Sequence, residues 1–345
     1  MREIYRILDA NFNRAREALR VVEDCGRFVL NDPAITAMAK HFRSDLKILL
    51  DTLPHGELIL SRDTPGDLGR EITSRTEPSR KDIEDVATAA CKRLTEALRT
   101  IEEYAKIVAP AQALELERMR YDAYTLEQRL CTRFLVKQRF AGVKLYVMLT
   151  SGRCKAGSLR AVARAAIAGG ADAIQLREKD IEDDAFLAYA AELRELTDQT
   201  GRLLIINDRP DIAAIVGADG LHLGQHDLPI TDARRLLRPG AFIGRSCHSV
   251  QHAQQAINEG ADYVAIGPIY RTPLKNREPV GPGLLDEIHE VYETVPLPIV
   301  AIGGIKADNV SEVVQRGAKC VAVCSAVNDA DDPQAAAAEI RKHLE

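Results

Sequence analysis

The stretch Leu203-Leu204-Ile205-Ile206-Asn207-Asp208-Arg209-Pro210-Asp211, continued after a short helical segment by Asp219-Gly220-Leu221-His222-Leu223-Gly224-Gln225-His226-Asp227, decides the fold. Each half is an apolar run too short for a helix, closing on polar residues and bounded by Gly, Pro or Asp, which reads as a buried strand. The pattern recurs from Lys144 onward. The runs are Leu145 to Thr150, Asp172 to Lys179, Leu203 to Asp208, Gly220 to Gln225, Phe242 to His248, Tyr263 to Tyr270, Pro298 to Ile305 and Cys320 to Ala326. Helical segments of about 10 to 15 residues separate them, as in βα units on a parallel sheet. Eight units in about 205 residues fit a compact (β/α)8 TIM barrel near the lower end of that fold's size range. An open doubly wound sheet is the weaker alternative, because neither a G-x-G-x-x-G turn nor a G-x-x-x-x-G-K-[ST] loop is present.

Upstream, the reading changes to an all-α domain over residues 1–138, with the barrel over 139–345. Tyr5, Leu8, Phe12, Ala15, Leu19, Val22, Gly26 and Val29 step by three and four, and so do Ile83, Val86, Ala90, Leu94, Ala97, Ile101, Tyr104 and Val108. Each set makes one apolar stripe that must pack on a partner helix. Arg14-x-x-Glu17-Ala18-Leu19-Arg20-x-x-Glu23-Asp24 matches Arg93-x-x-Glu96-Ala97-Leu98-Arg99-x-x-Glu102-Glu103, which points to a duplicated helical hairpin. The Arg/Glu pairs also fit ordinary surface ion pairs. Between the halves, Asp63 to Arg70 is rich in Gly, Pro and Asp and reads as a connector rather than a phosphate loop, although Arg75 and Arg80 follow it.

Composition excludes several classes. At 345 residues, 46% hydrophobic and 28% charged, the chain can bury a sizeable core and is not disordered. A net charge of −5, no basic block and no Trp leave no platform for nucleic acid. The charged start Met1 to Arg6 is no signal peptide, and no run reaches about 18 apolar residues, so a cytoplasmic protein without a membrane anchor is expected. Seven scattered cysteines without a C-x-x-C pair argue against disulfides and zinc. The oligomeric state, a homo-oligomer included, is left open.

In such a barrel the chemistry gathers at the carboxyl ends of the strands. Gln175, Arg177 and Lys179 are spaced by two and would share one face. Two cations turned into a low-dielectric interior call for an anion such as a diphosphate, or for an ion pair with a carboxylate such as Asp208. Asp208 and Asp227 would meet bound phosphates in the manner of Mg²⁺ ligands, with helix capping as the other reading; Asp211 reads as a cap. Ser246 and His248 close the fifth run, Thr272 and Lys275 follow the sixth, and Gly303-Gly304 with Cys324-Ser325 offer a second phosphate cradle. His222 reads as a packed histidine.

These residues together resemble the thiamine-phosphate synthase (thiamine-phosphate pyrophosphorylase) family. The resemblance rests on Gln175-Leu176-Arg177-Glu178-Lys179, Asn207-Asp208-Arg209, Asp219 to Asp227, Gly244-x-Ser246-x-His248, Gly267-Pro268 with Thr272 and Lys275, and Ile302-Gly303-Gly304-Ile305, in order over about residues 140 to 345. It implies a transferase that joins a pyrimidine methyl diphosphate to a thiazole ethyl phosphate and releases pyrophosphate. By motif, Gln175, Arg177, Lys179, Asn207, Ser246 and Lys275 would hold the pyrimidine diphosphate, Asp208 and Asp227 Mg²⁺, and Thr272, Gly304, Cys324 and Ser325 the thiazole phosphate. Arg177, Lys275 and Ser246 would be the catalytic set. The chain has His226 where the family commonly has Glu and Leu274 where it has a second Thr. Arg6 to Glu17 and Leu19 to Asp24 resemble a helical domain fused ahead of this synthase in some bacteria, for which a hydroxymethylpyrimidine-phosphate kinase activity has been proposed; no phosphate-loop lysine motif accompanies it. The alternatives are a thiazole tautomerase using a histidine such as His248, and a non-catalytic sensor of thiamine precursors.

Overall fold

The computed structural model describes residues 1–30, 32–68, 79–273, 277–291 and 297–344. The chain divides into two compact units, Met1–Phe134 and Leu135–Glu345. The first contains α1 (Arg2–Phe28), α2 (Pro33–Asp51), α3 (His55–Leu60) and α4 (Ile83–Val108), and the division falls within α5 (Ala113–Ala141). Leu8, Phe12, Ala15, Leu19, Val22 and Gly26 of the expected α1 stripe are buried. On α4 the stripe starts later: Ile83 and Val86 are exposed and Ala87 is buried instead, because the first turn of the helix lies outside the packed face. Asp32 caps α2 through the Ala34 and Ile35 N–H groups, with Pro33 at the first helical position. The repeated glutamates occupy matching roles. Glu23 is buried against Arg20 and, from α2, Arg43 at 3.0 Å; Glu102 is buried against Arg99 at 2.8 Å and, from α5, Arg120 at 2.9 Å. The glutamates are thus buried and tie neighbouring helices together, while Arg20 and Arg99 keep their exposed, surface-pair side.

In the second unit eight parallel strands close a barrel in sequence order. They are β1 (Leu145–Leu149), β2 (Ala173–Leu176), β3 (Leu203–Asn207), β4 (Gly220–Leu223), β5 (Phe242–Cys247), β6 (Tyr263–Ile266), β7 (Ile299–Ile302) and β8 (Cys320–Val323). Side chains alternate between two cores, as the period of two requires. Val147, Ile174, Leu204, Leu221, Ile243 and Val321 face the surrounding helices. Tyr146, Ala173, Ile205, Phe242, Tyr263, Ala265, Val300 and Ala322 fill the inside, where Phe140 stacks on Tyr263 with ring centroids 4.3 Å apart.

A repeated aspartate ties this barrel at the amino ends of β2, β4 and β6. Asp172 accepts the Leu145 N–H at 3.0 Å and meets Arg202 and Arg341; Asp219 accepts the Leu204 N–H at 3.0 Å and meets Arg139, Arg194 and Arg238; Asp262 accepts the Ile243 N–H at 2.7 Å and meets Arg234. Each carboxylate thus satisfies a buried strand donor and is itself neutralised by arginine. All seven cysteines are free thiols. No described helix is long and apolar enough to cross a membrane.

Candidate active site

The inward alternation continues past the strand ends and lines one cavity at the carboxyl end of the barrel. Gln175, Arg177, Asn207, Ser246, Thr272, Gly304, Cys324 and Ser325 all line it, together with His222, His248, Met148, Ala265 and Ile302. Arg177 sits past the end of β2, and no carboxylate forms an ion pair with it among the described residues. An arginine so placed keeps its planar donors for an anion. Lys179 departs from the expected shared face: the chain has left the strand by then, and its Nζ pairs with Asp208 at the mouth instead of lining the cavity. The ion-pair reading therefore applies to Lys179 and not to Arg177. Lys275, together with Leu274, lies outside the described residues, as does Arg75.

Asp208 follows β3 with φ 62°, a left-handed backbone that Asp tolerates better than most residues. This turn aims its carboxylate at Asp227, which in turn accepts the Gly224 N–H at 2.6 Å. Burial, and next the facing Asp227, raise the Asp208 pKa. For Asp227 burial also acts upward, but the hydrogen bond from Asp208, the Gly224 N–H and the charges of Lys179 and Arg245 outweigh it and hold the group below its ordinary value. Two carboxylates in contact repel when both ionise, and Lys179 offsets only part of that charge, since the Asp208 pKa stays raised. Their hard oxygens fit Mg²⁺, and since no third His, Cys, Asp or Glu joins a cluster among the described residues, the remaining positions would fall to phosphate oxygens and water. Asp211 does not cap its helix. The helix Pro210–Ile215 begins one residue earlier, and Asp211 in its first turn pairs with Arg209 at 2.6 Å.

Across the cavity, Gly304 has φ +68°, and a Cβ there would lie 2.6 Å from the Arg271 carbonyl oxygen. Only glycine lets the chain approach this closely, which is what a backbone phosphate cradle needs. The Gln175 Oε1 is buried in the structure without a hydrogen-bond partner, an acceptor that a ligand donor would satisfy. His222 is buried as expected, yet both ring nitrogens are bonded, Nδ1 to the Tyr263 hydroxyl at 3.0 Å and Nε2 to Ser246 Oγ at 2.9 Å. Sequence reasoning missed Tyr146 and Tyr263 beneath the cavity; their inward positions on β1 and β6 were the available signal.

A model of the family described as Thiamine monophosphate synthase matches residues 145–327. A thiamine-phosphate synthase from Synechocystis is 40% identical over 342 residues, covering 99% of this chain and 96% of that one. The chain belongs to the thiamine-phosphate synthase family. A second thiamine-phosphate synthase, from Gloeobacter violaceus, is 41% identical over 332 residues, covering 96% of this chain and 94% of its own length. Among solved structures, a thiamine phosphate pyrophosphorylase from Pyrococcus furiosus is 37% identical with a TM-score of 0.54, covering 61% of this chain and 97% of that one. The ThiD2 family model matches residues 6–129. Membership of the thiamine-phosphate synthase family makes the chain a transferase, and the relatives from Synechocystis and Gloeobacter span the helical unit as well as the barrel.

Proposed function

We propose that the barrel condenses 4-amino-2-methyl-5-(diphosphooxymethyl)pyrimidine with thiazole ethyl phosphate to give thiamine phosphate and pyrophosphate. The observation that carries this reading is that one cavity gathers Arg177, without an ion pair among the described residues, the acceptor of Gln175 and a glycine-lined wall, next to two facing carboxylates at its mouth. Gln175, Asn207 and Ser246 hold the pyrimidine, Arg177 and Lys275 hold its diphosphate, and Lys179 reaches that diphosphate from the mouth only by giving up its pairing with Asp208. Thr272, Gly304, Cys324 and Ser325 hold the thiazole phosphate.

The methylene C–O bond breaks with its electron pair leaving on the diphosphate, and Arg177 and Lys275 take up that charge. The aminopyrimidine ring delocalises the methylene cation. The thiazole nitrogen then supplies the lone pair of the new C–N bond. No proton has to be removed from either partner, so positioning and electrostatics do the work and no general base is required. Mg²⁺, when held by Asp208 and Asp227, supplies charge neutralisation to the departing diphosphate.

For the helical unit, the resemblance and the ThiD2 match support a hydroxymethylpyrimidine-phosphate kinase that would feed the barrel. The test is product formation with Mg²⁺ and thiazole phosphate, supplied in parallel with the pyrimidine diphosphate or with the monophosphate plus ATP. Thiamine phosphate in the first arm is expected from the barrel, and product in the second arm from the kinase. No product in the first arm rejects the synthase.

A further inference from the structure

A single hydrogen-bonded chain crosses the barrel interior beneath the cavity. Gln175 Nε2 donates to the Tyr146 hydroxyl at 2.9 Å, Tyr146 and Tyr263 hydroxyls are 3.1 Å apart, Tyr263 meets His222 Nδ1 at 3.0 Å, and His222 Nε2 meets Ser246 Oγ at 2.9 Å. All five side chains are buried, and both ends, Gln175 and Ser246, line the cavity. The arrangement is built into β5, where Gly244 leaves room for the phenol ring. A Cβ at 244 would stand 2.0 Å from the Tyr263 Cζ.

With the Gln175 amide donating its Nε2 to Tyr146, one polarity gives every proton in the chain a partner. Because Gln175 donates to the Tyr146 oxygen, the Tyr146 proton has Tyr263 as its hydroxyl partner, and the Tyr263 proton goes on to His222 Nδ1. Burial raises both phenol pKa values, so both hydroxyls keep their protons. A neutral imidazole that accepts at Nδ1 carries its proton on Nε2 and donates it to Ser246. Ser246 Oγ is thereby an acceptor toward the protein, and its own proton faces the cavity. At the other end Gln175, which lines the same cavity, holds a buried Oε1 with no partner among the described residues.

We infer that Tyr146, Tyr263 and His222 are positioning residues that fix Ser246 as a donor and Gln175 as an acceptor, and so select the 4-aminopyrimidine over its 4-oxo counterpart. An aminopyrimidine offers an amino donor beside a ring-nitrogen acceptor, which is the complement of this pair. The 4-oxo lactam reverses both groups, setting acceptor against acceptor and donor against donor, and a site built to bond a particular polar group rejects the analogue lacking it. This inference rests on the proposed pyrimidine subsite and deepens it.

The test is equilibrium binding of the 4-amino and 4-oxo pyrimidine diphosphates to the full-length protein without thiazole phosphate. The comparison is wild type against Tyr263→Phe and Tyr146→Phe, each with a thermal melt. The wild type is expected to favour the amino compound by about 100-fold or more, and each variant to lower that ratio at least tenfold, because the freed groups can reverse. A folded variant that keeps the wild-type ratio, or a wild type that favours the 4-oxo compound, overturns the inference. A purely structural role for the tyrosines would weaken both ligands alike and leave the ratio unchanged. If Tyr263→Phe does not fold, Tyr146→Phe carries the test. Wild-type turnover of the amino compound is measured alongside: absent turnover with the binding ratio intact rejects the reaction and leaves the selection standing.

Discussion

In the proposed reaction Arg177 and Asp227 carry separate parts of the chemistry, and the two can be told apart. Arg177→Ala removes a cation that the proposed reaction needs most as the diphosphate departs, so kcat should fall by about 10²-fold or more with little change in melting temperature. Asp227→Ala should produce a similar fall, and the residual rate should no longer depend on Mg²⁺. Near-normal turnover in either variant would remove the diphosphate and cation assignments. The Asp208 pKa, raised by burial and by Asp227, adds a pH signature. As pH falls toward that raised value Asp208 takes up a proton, the pair loses a negative charge, and more Mg²⁺ is needed for half-maximal rate. An Mg²⁺ requirement that stays constant on acidification would contradict this. The polar residues that line the cavity were legible because they break the apolar alternation just where the strands stop. Tyr146 and Tyr263 were not, because a phenol on an inward strand position looks like core until its hydroxyl partner, 117 residues away, is known. The direction of Lys179 was not legible, because alternation cannot show where ladder hydrogen bonds end.

At the level of elements, that last point is general. The apolar runs overshoot the strands: the run to Lys179 stops as β2 at Leu176, and the run to Ile305 stops as β7 at Ile302. Side chains beyond these ends still belong to the site, but their direction is set by the loop rather than by the pleat. The aspartates below the barrel had no sequence signature of their own, since each becomes meaningful only when a strand donor and several arginines surround it. Asp219 makes the sharpest test. Burial acts upward on its pKa as the largest single effect, but the Leu204 N–H, Arg139 and Arg194 together hold it below 3.8. A folded value below the unfolded one means the stabilisation is complete above the unfolded pKa and is lost as pH falls through the folded value. Asp219→Asn should lower the stability of the barrel by roughly 2 kcal/mol at pH 7, since the buried carboxylate that accepts from the Leu204 N–H and meets three arginines loses its charge, and by less once the pH is below the lowered folded value. Urea melts at the two pH values measure this; an equal loss at both would show that the charge is not what matters.

For the whole molecule, α/β periodicity and the strand-end residues were enough to anticipate a barrel behind a helical region, because both depend on local spacing. The internal repeat was legible in the same way, and its glutamates acquired meaning once Arg43 and Arg120 came from other helices to meet them. Glu102→Gln should unfold the helical unit at lower temperature, and the first-arm rate should be unaffected below that transition if the barrel performs the condensation by itself. A parallel loss of synthase activity would show that the helical unit takes part. The most direct measurement is formation of thiamine phosphate by the full-length protein from the pyrimidine diphosphate, thiazole phosphate and Mg²⁺, run beside Arg177→Ala. The account predicts stoichiometric thiamine phosphate and pyrophosphate from the wild type and a rate lower by orders of magnitude from the variant. No thiamine phosphate from the folded wild-type protein, or equal rates from both, would contradict it.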